Sequence, residues 1–195
     1  DLSFVVGVSG VLAEKSGAAL ELYNAASLQT REIVAAWNSA TGDEALTIGE
    51  VLACDEDAWE GLNAVVAHSP VLSARLRAFL AESEELIPAA ITALGDGDLD
   101  TLGRLADRSQ RNARDNLGNQ VPETIRMQAL ARDLGAQAAS SFGAGFGGSV
   151  WALVPTAEAD DFAAAWLERY SAEFPEVAER ATTLVTRPGG PAHRL

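Results

Sequence analysis

The sequence predicts an α+β fold with a small sheet, because strand-like runs stand near both ends of the chain and a long helical block fills the middle. The runs are Phe4–Val8, Ser149–Val154 and Thr182–Thr186, each rich in β-branched or aromatic residues. Strands and helices do not alternate as a doubly wound sheet requires, and neither an internal repeat nor a low-complexity linker divides the 195 residues. One domain over residues 1–195 is therefore expected, a length that buries roughly 70% of the surface exposed by the unfolded chain.

Ser9-Gly10 breaks the first run, and apolar residues then recur at helical spacing from about 11 to 38, with Leu20, Tyr23, Ala26, Ile33, Val34 and Trp37 on the stripe. Further helices are expected at about 47–54, 56–67, 71–94 and 98–116, parted by Asp55, Ser69-Pro70 and Gly95-Asp96-Gly97-Asp98. Pro88 predicts a kink or break in the third of these. Pro122 and Glu123 suit a helix N-terminus and Gly135 its stop. A Ser/Gly segment over 140–148 leads into the strand 149–154. An amphipathic helix over 157–174 carries Phe162, Ala165, Trp166 and Tyr170 on one face, and a loop closes the chain after 186.

Composition removes several function classes. A formal charge of −14 and a pI near 4.4 disfavour a nucleic-acid partner, which is held by clustered Lys and Arg. Apolar residues nowhere form the roughly 18-residue run of a membrane helix, so a cytoplasmic protein without a membrane partner is expected. Acidity does not exclude a nucleotide, since backbone N–H groups can hold phosphate. Cys54 is the sole cysteine. It cannot form an intrachain disulfide, and its apolar neighbours predict a small buried side chain. The chain opens on Asp1, directly before a strand-like run, which predicts that a segment precedes it.

Few residues carry chemistry on their own. Glu82, Glu84 and Glu85, like Asp160 and Asp161, have the spacing of solvated helix faces. His68 and His193 lie far apart without Cys or carboxylate neighbours, so no metal site is expected. Lys15, the sole lysine, reads first as a solvated helical side chain. Tyr23, followed by Asn24, either lines a polar-ligand pocket or is a core tyrosine whose hydroxyl reaches water. Gly143, Gly145, Gly147 and Gly148 form a GxGxGG run. Such a run permits left-handed backbone and close approach to a phosphate or to another loop. It lacks the Lys-Ser/Thr of a P-loop and precedes a strand, unlike a dinucleotide fingerprint. A tight turn between strands is the competing reading.

Three blocks in order resemble the C-terminal half of galactokinases, within the GHMP kinase superfamily: Phe4–Val11, Tyr23-Asn24, and Gly143–Gly148 running into Val150–Val154. Between them, Ser109-Gln110 and Val121-Pro122-Glu123 resemble the family's Ser-His and Pro-Glu segments. The resemblance implies a small antiparallel sheet packed against a helical block. It also implies a kinase that moves the γ-phosphate of ATP, with Mg²⁺, to a sugar hydroxyl such as that of galactose. Tyr23 would approach the sugar, and Gly143, Gly145, Gly147 and Gly148 would brace the nucleotide region. The catalytic Asp, the Ser-rich phosphate loop and most sugar contacts come from the family's N-terminal half. This sequence shows none of those motifs, so no catalytic residue is assigned and residues 1–195 alone are expected to be inactive. Val8, Gln110 and Ser140-Ser141-Phe142 depart from the family pattern. Those departures leave open another sugar, a uronic acid or a small alcohol as acceptor, a non-catalytic sugar-sensing relative, and an unrelated interaction domain.

Overall fold

A computed structural model describes residues 1–12, 18–54 and 57–190, with the side chains of 18–23 left out. Four strands form one sheet in the order β2-β3-β1-β4, where β1 is Leu2–Val8, β2 Ala138–Phe142, β3 Ser149–Pro155 and β4 Thr182–Thr186. Every neighbouring pair is antiparallel, as expected. β1 is central, pairing Val5 with Ala152 on one side and with Val185 on the other.

Alternation along these strands sets the two faces. Val5, Val150, Ala152 and Val154 point to one side, where they pack with Met127 and Leu130 of α7 (Pro122–Asp133) and with Phe162, Trp166 and Tyr170 of α8 (Ala159–Glu173). Trp166 is fully buried, and its indole N–H donates to the Met127 carbonyl at 2.9 Å, so the ring fills the core without stranding its polar atom. On the other face, Phe4, Trp151 and Leu153 meet Leu99, Leu102 and Ala106 of α6 (Leu99–Asn112).

The helical block has its own core. Ile33 and Val34 of α1 (Ala18–Thr41), Ile48 and Val51 of α2 (Ile48–Cys54), Leu62 and Val66 of α3 (Ala58–Val66), and Leu72 and Leu76 of α4 (Pro70–Leu80) close on one another at helical spacings. Ser69 caps α4 by accepting the Leu72 N–H, and Asp98 caps α6 by accepting the Thr101 N–H at 2.9 Å.

Three expectations are corrected, and a fourth, at Pro88, takes a particular form. The Ser/Gly segment conceals a strand: Ala138–Phe142 is β2, because β3 supplies a complete ladder that outweighs the poor strand propensity of two alanines and two serines. The irregularity expected near Pro88 is a π-turn and not a break into separate helices. A π-turn over Ala81–Leu86 leads directly into α5 (Ile87–Asp96), with the Ile87 N–H reaching the Glu82 carbonyl, so the extra residue per turn makes room where the proline ring crowds the turn before it. A second π-turn, Ala113–Leu117, ends α6. Cys54 is exposed, since Ile48 and Val51 define the buried stripe of α2 and position 54 falls outside it. Glu82 leaves the solvated acidic face: its Oε1 accepts from Ser109 Oγ at 2.9 Å and Asn112 Nδ2 at 3.0 Å, while Glu84 and Glu85 stay exposed. No helix of the described residues is long and apolar enough to cross a membrane.

Candidate functional site

The turn between β2 and β3 is built from backbone that L-residues avoid. Gly143, Gly145, Gly147 and Gly148 all have φ between 85° and 124°, and Phe146 joins them at 58°. Such a run is tolerated only where surrounding structure fixes it. Two neighbouring segments do so here. Asn119, in the turn after the second π-turn, accepts the Phe146 N–H on its carbonyl at 2.6 Å and donates its side-chain amide to the Ala144 carbonyl at 3.2 Å. On the other flank Val11 accepts the Gly148 N–H at 3.0 Å, while Ser9 donates its N–H and its hydroxyl to the Gly148 carbonyl at 2.9 and 2.7 Å.

Close approach makes two of the glycines obligatory. A Cβ on Gly145 would run into the Asn119 carbonyl oxygen, and one on Gly147 would lie 2.8 Å from the Val11 carbonyl. Gly143 and Gly148 differ, since nothing stands within 4 Å of the position either Cβ would take, and of the two Gly143 is the exposed one. The residues behind these contacts are equally ordered. Tyr170 donates its hydroxyl to the Ser9 carbonyl at 2.7 Å and Arg180 Nε donates to that of Gly10 at 2.9 Å. Burial, with Glu123 and Glu176 adding to it, raises the Tyr170 phenol well above its ordinary range, so it stays a neutral donor. Gln110 is buried and accepts on Oε1 from Ser141 N, Ser141 Oγ and Ser140 Oγ at 2.8, 2.8 and 3.2 Å. A relay of amides then runs from Gln110 Nε2 to Gln120 and from Gln120 Nε2 to Asn119, tying β2 to the glycine turn.

Two concavities open against this turn. One, of about 330 Å³, lies between Ala25, Ala26 and Gln29 of α1, Arg75 of α4, and Gly143, Ala144 and Phe146 of the turn. The other, of about 270 Å³, shares Arg75, Asn119 and Gly143 and adds Glu82, Ser109 and Ser141. Of the glycines predicted to brace a nucleotide, Gly143 thus faces open space while Gly145 and Gly147 are buried. The backbone of Tyr23 lies in α1 on the stretch leading to Ala25 and Ala26, but its side chain is outside the described residues, as are Lys15 and His193. Arg75 and Asn119 gave no signal in the sequence: a lone arginine on an amphipathic helix and an asparagine before a glutamine are ordinary there. Among the described residues no group of three or more His, Cys, Asp or Glu could hold a metal ion. The open side of Gly143 fits a close-lying nucleotide or acceptor; the described side chains offer Mg²⁺ no ligand set.

Residues 90–172 match the family model described as GHMP kinases C terminal. That segment is similar to the C-terminal domain of GHMP kinases. It runs from within α5 to within α8 and includes the glycine turn, the amide relay and the Trp166 core. The whole chain also superposes on the galactokinase of Lactococcus lactis solved with galactose, at a TM-score of 0.77 and 22% identity, covering 100% of this chain and 47% of that one. The mevalonate kinase of L. major solved with R-mevalonate is similar at a TM-score of 0.52 and 15% identity, with 98% and 44% covered. At these identities the likeness is one of fold. The chain spans less than half the length of either structure.

Proposed function

We propose that this chain forms, as one domain over residues 1–195, the C-terminal wall of an ATP-dependent small-molecule kinase of the galactokinase type, working in the cytoplasm where Mg·ATP is supplied. The observation that carries the reading is the glycine turn. Its strained backbone is held from both flanks, yet Gly143 is left open toward the concavities beside α1. A rigid wall of that kind suits phosphoryl transfer, in which positioning and preset electrostatics supply nearly all of the catalysis.

Bound ATP with Mg²⁺ would bring the γ-phosphate that is transferred. In this reading the open side of Gly143 lets a ligand lie against backbone, and Asn119 fixes the height of the turn through Phe146 and Ala144. Tyr23, on the same helix as Ala25 and Ala26, would approach the acceptor. Gly145, Gly147 and Gly148 act by holding the turn. The groups that accept the acceptor's proton and ligate the metal belong to a partner lobe of the same protein, which fits the share of the two kinase structures that this chain spans. Galactose is the first acceptor to test. Phe142, 49% exposed at the mouth of the turn, favours keeping other sugars, uronic acids and small alcohols beside it.

The test is ADP formation with Mg·ATP and an acceptor panel, run on the full-length protein and on residues 1–195 alone. The reading expects turnover by the former and none above background by the latter. Turnover by residues 1–195 alone would overturn the two-lobe assignment, and better turnover of another alcohol would replace galactose. Saturable sugar binding with no phosphorylated product would make the protein a sensor and remove the kinase reading.

A further inference from the structure

Arg75 is the residue that no part of the account so far uses. It stands on α4 where both concavities beside the glycine turn meet, and it also borders a third between α1 and α2. Several arginines lack an ion pair among the described residues, but Arg75 is the one of them that is partly buried, the others being exposed. Arg108 pairs with Glu85, Arg114 with Asp115, Arg126 with Glu173 and Arg132 with Asp107. Among the described residues Arg75 has no ion pair. Its Nε donates to the Ala26 carbonyl at 3.2 Å, which fixes the guanidinium along α1 and leaves both terminal nitrogens without an acceptor among the described residues. Partial burial with no carboxylate beside it lowers the basicity of the group, the mark of a cation that lacks its counter-charge.

The two neighbouring concavities differ in charge. The one that runs past Ser109 and Ser141 contains Glu82, whose carboxylate is already engaged by Ser109 and Asn112. The one bounded by α1 and the glycine turn has no Asp or Glu among the described residues of its wall; around Arg75 it presents the amides of Gln29 and Asn119 and the backbone of Gly143 and Ala144. An anion entering from solvent meets a molecule of net charge −14, and among the described residues Arg75 is the only charged side chain of that wall. Arginine offers planar paired donors that match carboxylate and phosphate oxygens.

We propose that the concavity between α1, α4 and the glycine turn is an oxyanion subsite whose cation is Arg75. The oxyanion is either a phosphate of the nucleotide or product, or a carboxylate on the acceptor. The identity of that ligand rests on the kinase reading, whereas the subsite rests on the surroundings of Arg75.

The experiment is an NMR titration of the full-length protein with inorganic phosphate, tripolyphosphate, glucuronate and, as the uncharged control, galactose. The expected result is a saturable shift of the Arg75 Nε–H and of the Gly143 and Ala144 amides by at least one of the anions. R75Q, which keeps an amide donor for Ala26, should weaken that binding by roughly tenfold to a hundredfold, as the loss of a charge-assisted bond implies, with R77Q on the exposed side of α4 unchanged. Preference for the phosphates assigns the nucleotide side, and preference for glucuronate assigns an acidic acceptor. Anion binding that R75Q leaves intact, or no saturable shift with any anion, would overturn the proposal. Should R75Q fail to fold, the wild-type Arg75 Nε–H decides, since a resonance unmoved at saturating anion is equally fatal. Anion binding through Arg75 in a protein without phosphoryl transfer would uphold the subsite and remove the kinase reading; transfer with every KM untouched by R75Q would do the reverse.

Discussion

The cluster beneath the sheet and the cluster inside the helical block solve the same burial problem with different residues. Beneath the sheet, small residues on the strands, Ala139 and Ala152, face large ones on the helices, Trp166, Tyr170, Phe162 and Met127. In the block, aliphatic side chains of similar size, Ile33, Ile48, Val51, Leu62 and Leu76, interleave between helices. The first cluster is ordered by polar anchors as well: Trp166 is tied to Met127, and Tyr170 to Ser9 next to the glycine turn. The buried side chains of the second are all aliphatic, and its polar ties, such as Trp37 to Asp43 and Asn38 to Ala45, lie at its rim. Cores of that kind keep their fold through many aliphatic exchanges. Residues 90–172 carry most of the first cluster and none of the second. The difference teaches that the turn is held to a fixed shape from the sheet side, while the opposite wall, with Ala25, Ala26, Gln29 and Arg75, is drawn from helices whose packing leaves more freedom to change what is recognised.

The largest expected effects set one core against the other. Trp166→Ala removes the largest fully buried side chain and its bond to Met127, and should cost about 3–5 kcal/mol in denaturant unfolding. Leu76→Ala should cost about 2–5 kcal/mol. Native-state hydrogen exchange distinguishes their reach: Leu76→Ala should speed exchange in α1–α4 more than in β1 and β3. Equal acceleration everywhere would show one cooperative unit and dissolve the comparison.

Much of this was legible in the sequence where a single signal dominated. The run Thr182–Thr186 predicts the strand that forms, and Pro122 and Gly135 bracket α7, because β-branched runs and helix punctuation act locally. β2 was not legible, since Ala138-Ala139-Ser140-Ser141 becomes a strand only through pairing with β3. The glycine run stood out, but not the division of labour within it. That Gly145 abuts Asn119 while Gly143 faces open space depends on contacts across 26 and more positions of sequence. Glu82 and Arg75 were illegible for the same reason: whether a helical charge is solvated, bonded or left without a counter-charge is decided by a neighbouring helix.

A sharper comparison lies between glycines of like strain. Gly145 and Gly42 have φ of 87° and 83°, so alanine at either meets the same backbone penalty, about 1–2 kcal/mol. Nothing stands near a Cβ at Gly42, whereas one at Gly145 overlaps Asn119. Gly145→Ala should therefore be the less stable variant by a further 1–3 kcal/mol or so. Equal midpoints in urea would show that the turn yields easily and is no rigid wall.

A smaller effect tests the anchor behind the turn. Tyr170→Phe removes the bond to Ser9 and should cost about 1–2 kcal/mol. Because burial raises the folded-state pKa of this phenol above its unfolded value of about 10, its contribution is complete below that pH and is lost as pH climbs toward the folded value. Wild-type stability should accordingly decline above pH 10 more steeply than that of Tyr170→Phe. Parallel profiles would show that the hydroxyl is not held as described.

Gly143 offers the most direct measurement of whether the turn borders a cleft in which phosphate moves. At φ 87°, and with the same open space as Gly42, its alanine variant should match Gly42→Ala in thermal stability. The two should part in ADP-forming kcat/KM of the full-length protein: Gly42→Ala at the wild-type value, and Gly143→Ala lower by roughly tenfold or more, since small displacements beside reacting groups cost that much or more. Full activity in Gly143→Ala, at matched stability, would contradict the account.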